Sequence, residues 1–262
     1  MARVSRKEDL FGRFAKGRHA FFGALNGDVV TQSDADCMME LLLGDARLMK
    51  KQHRLDSIRV LAPVDSPGKI VAIGLNYRSH ISEMDWEKPK KPIIFSKPSS
   101  AVIGPGDDIV IPRASKRVDY EGESAVIIGR RAKDTKDGAS HILGWTCLND
   151  VTARDLQRTD VDWTRAKGFD TFCPVGPYIS RKPPTRVKTL LNGKIVQNAP
   201  TSDRVFGDAA LIEYISTIMT LEPGDIIATG TPSGIGPMNA GDVVEVQLDG
   251  IGSLRNQVIK AD

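Results

Sequence analysis

The stretch "VDYEGESAVIIG", Val118 to Gly129, decides the fold of this chain. It ends in a short apolar run, Ala125 to Ile128, which is typical of a β-strand that is buried on both faces. Three carboxylates, those of Asp119, Glu121 and Glu123, precede the run at every second position. Side chains two residues apart on a strand share a face, so an extended backbone would place all three on one side.

Alternating charges are usually the solvent-exposed face of an amphipathic strand, because charged residues are mostly exposed. That interpretation fits poorly here. The opposite face would carry Tyr120, Gly122 and Ser124, which do not form an apolar surface to bury. Like charges this close repel one another and resist burial unless a cation lies between them. The pattern therefore indicates a metal ion at the mouth of a buried strand.

The composition is that of a globular protein. The 262 residues are 40% hydrophobic and 26% charged, with a net charge of +3, so disorder is not expected. The basic residues are scattered, which argues against nucleic acid or an anionic membrane as a partner. The three cysteines lack any C-x-x-C spacing, which indicates a reducing compartment and no zinc site.

Targeting signals are not expected. The start, "MARVSRKEDLFGRFAKG", is basic but lacks an apolar stretch long enough for a signal peptide. Since no run of about twenty apolar residues occurs, we expect no membrane span. The sequence predicts a cytoplasmic protein.

The chain divides at a segment rich in turn residues. Residues 1–65 contain a hairpin signal at Asn26-Gly27 and a helical pattern from Asp34 to about Leu43. The prolines and the glycine of "LAPVDSPGK" then predict a boundary. We expect a small N-terminal subdomain, residues 1–65, followed by a larger domain, residues 66–262.

Short strands dominate the larger domain. Gly-Asp turns lead into β-branched runs in "PGDDIVIP", "PGDIIATG" and "AGDVVEVQL", and Asn192-Gly193 signals another hairpin. Helices are expected only just after Asp150 and from Asp208 to Thr220. With little strand–helix alternation, a doubly wound sheet is disfavoured. The pattern predicts a mixed, β-rich α+β fold with a sandwich, roll or barrel core and few helices.

Asp150 is a candidate third carboxylate of the metal site. It ends the strand candidate "ILGWTCLND", where a scaffold can fix the direction of a side chain. It could equally be a helix N-cap. Together with Glu121 and Glu123 it would form an all-oxygen site that suits Mg²⁺ or Mn²⁺.

Three further patterns could carry chemistry. In "GLNYRSHISEM", His80 and Glu83 are three residues apart and would share a face on a helical turn, although a lone pair of this kind is usually structural. Lys167, in "RAKGFDTFCPVGP", could simply be a solvated lysine. The glycines of "TGTPSGIGP", Thr229 to Pro237, could present backbone N–H groups to an anion or could form a tight connection between strands.

The order of these motifs resembles the fumarylacetoacetate hydrolase family. The resemblance rests on "GLNYRSHISEM", "IFSKPSSAVIGPGDDIVIP", "DYEGE", "NDVTARDLQ", "AKGFDTFCPVGP", "LNGKIVQ" and "LEPGDIIATGTPSGIGP", and covers Lys69 to the C-terminus. The first 65 or so residues are similar to the small N-terminal part that many members carry. The chain looks closest to the acylpyruvase-like and 2-hydroxyhepta-2,4-diene-1,7-dioate isomerase-like branch.

The resemblance implies a β-roll core, a homodimer and one Mg²⁺ or Mn²⁺ per subunit. It implies three groups of site residues: metal ligands Glu121, Glu123 and Asp150; catalytic residues His80, Glu83 and Lys167; substrate-binding residues Arg154, Gln157 and Thr231. The family's His–Glu pair sits on a lid and activates water. Asp119 is expected to lie next to the metal ligands without binding the metal itself. Ser124 departs from the family pattern, which usually has an apolar residue there, and this puts the packing behind the metal in doubt.

The implied activity is hydrolysis of a C–C bond in acylpyruvate-like β-diketo acids such as fumarylpyruvate. Cleavage would leave an enolate that the metal and Lys167 stabilise. Oxaloacetate decarboxylation, or isomerisation or decarboxylation of a hydroxydienedioate in aromatic catabolism, are the alternatives within the family. A binding protein without catalysis is disfavoured, because such a protein has little need of a base pair beside a metal site.

Overall fold

The apolar run that opened the sequence lies in the middle of a large mixed sheet. In the computed structural model, which describes residues 10–64 and 66–261, the run belongs to a strand whose seven residues are all buried, Gly122–Ile128. Because residues 1–9 lie outside the described residues, the expectation about the start of the chain is not addressed by the structure.

The described residues contain twenty β-strands and five α-helices. The strands of the first half are β1 Leu10–Lys16, β2 His19–Asn26, β3 Val29–Ser33, β4 Leu48–Arg54, β5 Arg59–Leu61, β6 Ile70–Gly74, β7 Ile93–Lys97, β8 Val102–Ile103, β9 Ile109–Ile111 and β10 Val118–Tyr120. Those of the second half are β11 Gly122–Ile128, β12 Ile142–Asn149, β13 Thr152–Ala153, β14 Cys173–Ser180, β15 Arg186–Leu191, β16 Lys194–Pro200, β17 Ile226–Ala228, β18 Gly236–Met238, β19 Val243–Leu248 and β20 Gly252–Lys260. The helices are α1 Met38–Leu43, α2 Arg78–Glu83, α3 Arg154–Thr159, α4 Thr164–Lys167 and α5 Asp208–Ile218.

The strands form three sheets. The largest has twelve strands in the order β4-β3-β2-β1-β14-β12-β11-β17-β6-β7, with β5 beside β1 and β8 beside β14. A five-stranded sheet has the order β16-β15-β19-β20-β9, and a three-stranded sheet the order β13-β10-β18. The expected β-rich fold with few helices is confirmed.

Strand β11 is apolar on both faces because it separates two hydrophobic clusters. Ala125 and Ile127 pack in one cluster, and Val126 and Ile128 pack in a second one against α5. This alternation follows from the two-residue period of a strand. Burying a Val or Ile side chain stabilises the fold by about 1.5–3 kcal/mol, so the strand is fixed firmly at the point where the carboxylates begin.

The carboxylate stretch changes sheets at Glu121. Asp119 lies in β10 of the three-stranded sheet, and Glu123 lies in β11 of the twelve-stranded sheet. The three carboxylates would have shared a face only on one continuous strand. Because Asp119 and Glu123 lie on different strands, that condition is not met. The junction places Glu121 where two sheets meet.

Most predicted elements appear with shifted ends. Hairpins occur at Asn26-Gly27 and Asn192-Gly193 as expected. The first helix begins at Met38, later than predicted, and the helix after Asp150 begins only at Arg154. That delay arises because Thr152 and Ala153 form β13, which pairs with β10.

The N-terminal strands join the large sheet directly. Strand β1 pairs with β14 through Leu10↔Ser180 and Phe11↔Ile179. The proposed division into residues 1–65 and 66–262 stays a prediction, and Asp65 itself lies outside the described residues. None of the described helices has the length and apolar character required to cross a membrane. The three cysteines are free thiols.

Candidate active site and metal centre

Three buried carboxylates meet at the start of β11. Each of Glu121, Glu123 and Asp150 offers an oxygen, and these oxygens all lie within 4.8 Å of one another. The antiparallel pairing of Gly122 with Asn149 brings the two chain segments together. The Asp150 N–H donates to the Glu121 carbonyl (2.8 Å), and the Glu121 N–H donates to the side chain of Asn149 (2.9 Å). Asp150 is thus a member of this cluster, and the N-cap of α3 is Ala153 instead.

Gly122, between the two glutamates, is packed closely by the five-stranded sheet. A Cβ atom there would lie 2.0 Å from Thr189 Oγ1 and 3.2 Å from Gln197 Oε1. The Gly122 N–H donates to Gln197 Oε1 (3.0 Å), and Gln197 Nε2 donates to Thr231 Oγ1 (2.8 Å). The Thr231 hydroxyl in turn donates to the Gly122 carbonyl (3.0 Å). Gln197 therefore binds the Gly122 N–H directly and is linked to the Gly122 carbonyl through the Thr231 hydroxyl.

Buried cations surround the carboxylates. The Lys167 ammonium donates to Glu121 Oε2 (2.9 Å) and Asp150 Oδ2 (2.6 Å), and it lies 5.0 Å from the centre of the Phe95 ring. The Arg154 guanidinium donates from Nε to Asp119 (2.9 Å) and from Nη2 to Glu121. Asp119 thus binds Arg154 and lies outside the carboxylate cluster.

Lys97, the last residue of β7, is a buried cation that sequence reasoning missed. Its ammonium donates to the carbonyls of Lys167 (2.7 Å) and Val151 (3.3 Å). It also forms an ion pair with Asp150 Oδ1 (2.6 Å), an oxygen that accepts no hydrogen bond from any of the described residues. The motif "IFSKPSSAV" contained this lysine, but nothing in its local pattern distinguished it from a solvated one.

The pKa shifts of the glutamates follow from their neighbours. Burial alone would raise the pKa of Glu121, but the charges of Lys167 and Arg154 outweigh it and hold the pKa well below its usual value. Burial, and then the charges of Asp150 and Glu121, raise the pKa of Glu123 well above its usual value. Burial would lower the pKa of Lys167, yet Asp150 and Glu121 raise it, so this lysine stays protonated.

The residues present fit a divalent cation. Four carboxylates and three cations of the site are buried: Asp119, Glu121, Glu123, Asp150, Lys97, Arg154 and Lys167. A fourth cation, the partly exposed Arg117, also pairs with Asp119, so Glu123 differs from the other carboxylates in its pairing. Its described partner is the Gly230 N–H (2.7 Å), and among the described residues it forms no ion pair. A buried carboxylate of this kind, beside the carboxylates of Glu121 and Asp150, suits a hard cation such as Mg²⁺ or Mn²⁺.

Helix α2 carries the His–Glu pair. His80 Nδ1 lies 3.0 Å from Glu83 Oε2, and the other oxygen of Glu83 accepts the Gly234 N–H (2.9 Å). Helical spacing brings residues i and i+3 to the same face. Glu83 therefore fixes the ring of His80 and ties α2 to the glycine-rich loop.

The glycine-rich loop, residues 229–237, does present N–H groups to anions, and these anions belong to the protein itself. Gly230 donates to Glu123 and Gly234 donates to Glu83. Gly234 has a φ of +95°, and a Cβ there would lie 2.2 Å from the Val196 carbonyl oxygen. The loop thus supports the metal cluster and the His–Glu pair at once.

A pocket of about 350 Å³ opens over the cluster. Eight of the nine site residues implied by the resemblance line it: His80, Glu121, Glu123, Asp150, Arg154, Gln157, Lys167 and Thr231. The ninth, Glu83, contacts it through His80. The rest of the lining is mainly apolar and includes Leu75, Trp86, Phe95 and Trp163, together with the exposed Arg158.

Ser124 and the other histidines have structural surroundings. Ser124 is buried and lies 3.1 Å from the hydroxyl of Thr229, so its polarity is satisfied behind Glu123. His53 packs on Phe21, with ring centres 4.8 Å apart. His141 contacts the Arg130 carbonyl oxygen (3.1 Å). These groups lie outside the pocket.

Comparison with known proteins places the chain in a family. The sequence model described as fumarylacetoacetate (FAA) hydrolase C-terminal matches residues 69–259. Oxaloacetate tautomerase fahd2, mitochondrial, of Xenopus laevis is 39% identical over 249 residues, which are 85% of this chain and 78% of that protein.

Two solved structures extend the comparison. The 2-hydroxyhepta-2,4-diene-1,7-dioate isomerase of Mycobacterium marinum is 38% identical with a TM-score of 0.86, covering 96% of this chain and 98% of its own. The maleylpyruvate hydrolase of Sphingobium sp. SYK-6, solved with manganese(II) and pyruvate, is 30% identical with a TM-score of 0.79, covering 97% of this chain and 100% of its own. Since the matching sequence model spans most of the chain, and the curated relative covers most of it at 39% identity, the protein belongs to the fumarylacetoacetate hydrolase family.

Proposed function

We propose that this protein is a divalent-metal enzyme that interconverts the keto and enol forms of short 2-oxo acids. The observation that carries the proposal is the position of His80, held by Glu83 in the pocket that also contains the carboxylate cluster, Lys167 and Arg154. Such a pocket offers a proton acceptor and fixed positive charge to the same substrate. Enolisation requires both.

The carboxylates and Lys167 divide the electrostatic task. Glu121, Glu123 and Asp150 would hold one Mg²⁺ or Mn²⁺ per subunit, and the bound ion supplies Lewis acidity that polarises the 2-oxo group. Lys167 keeps its proton because Asp150 and Glu121 raise its pKa. It therefore serves as a fixed positive charge beside the enolate oxygen, in place before the reaction begins, and not as a base.

His80 is the residue proposed to move the proton. With Nδ1 held by Glu83, Nε2 is the ring nitrogen left to take a proton from carbon 3 of the substrate. The apolar wall of Phe95 and Trp163 limits water around that proton. Arg154 and Gln157, joined by a 2.5 Å hydrogen bond, would bind and orient the substrate's oxygens. Thr231 does the same from the glycine-rich loop.

Tautomerisation or isomerisation is the net reaction favoured by similarity. One relative is named an oxaloacetate tautomerase and one structural neighbour a hydroxydienedioate isomerase. Both names describe the movement of a proton and a double bond without the entry of water, and the residues above suffice for that.

Hydrolysis of acylpyruvates, the reaction expected from the sequence, is the second candidate. It is supported by the maleylpyruvate hydrolase neighbour that was solved with pyruvate. His80 would then activate a water molecule that attacks the distal carbonyl, and the same site would stabilise the pyruvate enolate that leaves. Decarboxylation of oxaloacetate would use the same enolate.

A substrate panel separates these reactions. Purified protein with Mg²⁺ or Mn²⁺ is expected to accelerate the loss of enol absorbance of oxaloacetate while the total 2-oxo acid stays constant, and a chelator should abolish the effect. Release of pyruvate from acylpyruvates such as fumarylpyruvate would instead establish hydrolysis. Release of carbon dioxide at the same rate as the loss of enol would establish decarboxylation. If no 2-oxo acid in the panel reacts, the proposal is wrong.

Glu83→Gln is expected to lower the turnover rate about tenfold or more while leaving metal affinity unchanged. The amide keeps the shape of Glu83 but loses the carboxylate that holds the His80 ring through Nδ1, and a positioned base contributes about 10²–10⁴-fold. Steady-state kinetics with a metal titration checks this. Glu87→Gln, an exposed change just beyond α2, is the matched control. If the turnover rates of the two variants were reduced equally, His80 would not be the base of the reaction.

The proposal also includes the oligomeric state and the location that the sequence predicts. We infer a homodimer in the cytoplasm that uses a small keto acid, without nucleic acid or membrane partners. Sedimentation of the purified protein tests the dimer.

A further inference from the structure

The cations that line the pocket differ in whether they already pair with carboxylates of the protein. At its inner end, Lys167 is bonded to Glu121 and Asp150, and Arg154 is bonded to Asp119 and Glu121. Each of these cations already has carboxylate partners within the protein. They can orient a substrate, but their charge is largely balanced before a substrate arrives.

Arg158 differs from them. It lines the same pocket and is exposed, and among the described residues it has no hydrogen-bond or ion-pair partner. The carboxylates near it along the chain are engaged elsewhere. Asp155 accepts from the Ser115 hydroxyl (2.6 Å), and Asp160 accepts from Arg165 (2.8 Å). The guanidinium of Arg158 is therefore a free cation at the outer part of the pocket.

The position of Arg158 along helix α3 gives it a defined relation to the inner end. It follows Arg154 by four residues, so the two side chains lie on one helix face about 5–6 Å apart at their Cβ atoms. Apart from the site residues, the rest of the pocket lining is mainly apolar and includes the exposed Trp86 and the half-buried Trp163. A single cation at the exposed end of this lining favours a ligand with one anionic group there, because a guanidinium without a protein partner is available for charge-assisted hydrogen bonds to a carboxylate.

We infer that Arg158 binds a second carboxylate at the distal end of the substrate, so that the pocket selects 2-oxo dicarboxylic acids over monocarboxylic ones. This inference rests on the proposed function only for the 2-oxo acid at the inner end. The guanidinium fork matches a carboxylate with two parallel N–H···O bonds, which a lysine ammonium cannot reproduce. Arg158 is thus a specificity residue, distinct from the residues that move the proton.

The test compares two four-carbon acids that differ only at the distal end. Oxaloacetate carries a carboxylate where 2-oxobutyrate carries a methyl group. Dissociation constants of both are measured by calorimetry on the Mg²⁺-loaded protein, in the wild type, Arg158→Gln, Arg158→Lys and Arg165→Gln. Arg165 is exposed and paired with Asp160, and it does not line the pocket, so it is the matched control.

The preference for oxaloacetate, expressed as the ratio of the two dissociation constants, is expected to fall about ten- to a hundredfold in Arg158→Gln. It should fall less in Arg158→Lys and stay unchanged in Arg165→Gln. Intrinsic differences between the two acids cancel when variants are compared. An unchanged ratio in Arg158→Gln overturns the inference. Deuterium exchange at carbon 3, followed by NMR in the same samples, reports on enolisation separately: binding preference without exchange would keep Arg158 and reject the proposed function.

Discussion

Replacing Glu123 with glutamine is expected to abolish metal-dependent turnover and, at the same time, to stabilise the metal-free protein. Glu123 is a buried carboxylate that lies beside Glu121 and Asp150 and forms no ion pair among the described residues. The amide keeps the shape and removes the unpaired charge. Each kcal/mol of repulsion that is relieved raises the unfolding temperature by about 2–4 °C. Calorimetry with and without Mn²⁺ measures both effects.

The stabilisation should depend on pH in a defined direction. Burial and the neighbouring carboxylates of Asp150 and Glu121 raise the pKa of Glu123 above its ordinary value of 4.5. The folded state therefore holds this proton more tightly than the unfolded state, and the metal-free wild type loses stability as pH rises from about 4.5 through the folded pKa. The glutamine variant lacks that loss, so the gap between the two proteins should widen with pH.

Metal binding should reverse which of the two proteins, the wild type or Glu123→Gln, is the more stable. Mg²⁺ or Mn²⁺ binding displaces the proton of Glu123 and should raise the unfolding temperature of the wild type, increasingly as pH rises. The variant should show little or no shift. Glu87→Gln, an exposed change, should behave as the wild type does. A full metal-induced shift in Glu123→Gln would show that this carboxylate is not a ligand.

The large-scale fold was predictable because it rests on local patterns. Asn-Gly pairs fixed two hairpins, and the unbroken apolar run of β11 indicated burial on both faces. The break at Glu121 was not predictable, because it depends on β10 pairing with β13 and β18, both distant in sequence. For the same reason, Thr152 and Ala153 were assigned to a helix that begins only at Arg154.

The residues of the candidate site likewise fall into those that the sequence predicted and those that it did not. Glu121 and Glu123 were identified from their spacing and from the physical cost of burying like charges, whereas the grouping with His80 and Lys167 came from the order of motifs. Lys97 and Gln197 were missed as site residues. Each acts through tertiary contacts, Lys97 beside Asp150 and Gln197 on the Gly122 peptide, and neither contact leaves a mark in local sequence.

The Gly122 peptide gives the second large prediction. Gly122→Ala is expected to lower stability by about 3 kcal/mol, or 6–12 °C in unfolding temperature, and to weaken metal binding at least tenfold. The added Cβ would lie 2.0 Å from Thr189 Oγ1, so β11 must move away from β15. Because the residues on either side are Glu121 and Glu123, that movement displaces two of the three carboxylates. Thermal unfolding and a Mn²⁺ titration measure the two effects.

Thr189 offers a rescue that separates this mechanism from general damage. Its hydroxyl is buried and has no hydrogen-bond partner in the part of the chain that the structure describes, so Thr189→Ala removes the obstructing atom without breaking a described hydrogen bond. The single change should cost less than about 1.5 kcal/mol. The double variant Gly122→Ala/Thr189→Ala should recover most of the stability and metal affinity lost by Gly122→Ala, because the new methyl group occupies the vacated space. Gly207→Ala, where a Cβ meets nothing within 4 Å, should cost at most about 1 kcal/mol, the loss expected when a glycine N-cap becomes alanine, and should leave metal affinity unchanged. If the double variant is no better than Gly122→Ala, contact with Thr189 is not what requires glycine between the two glutamates.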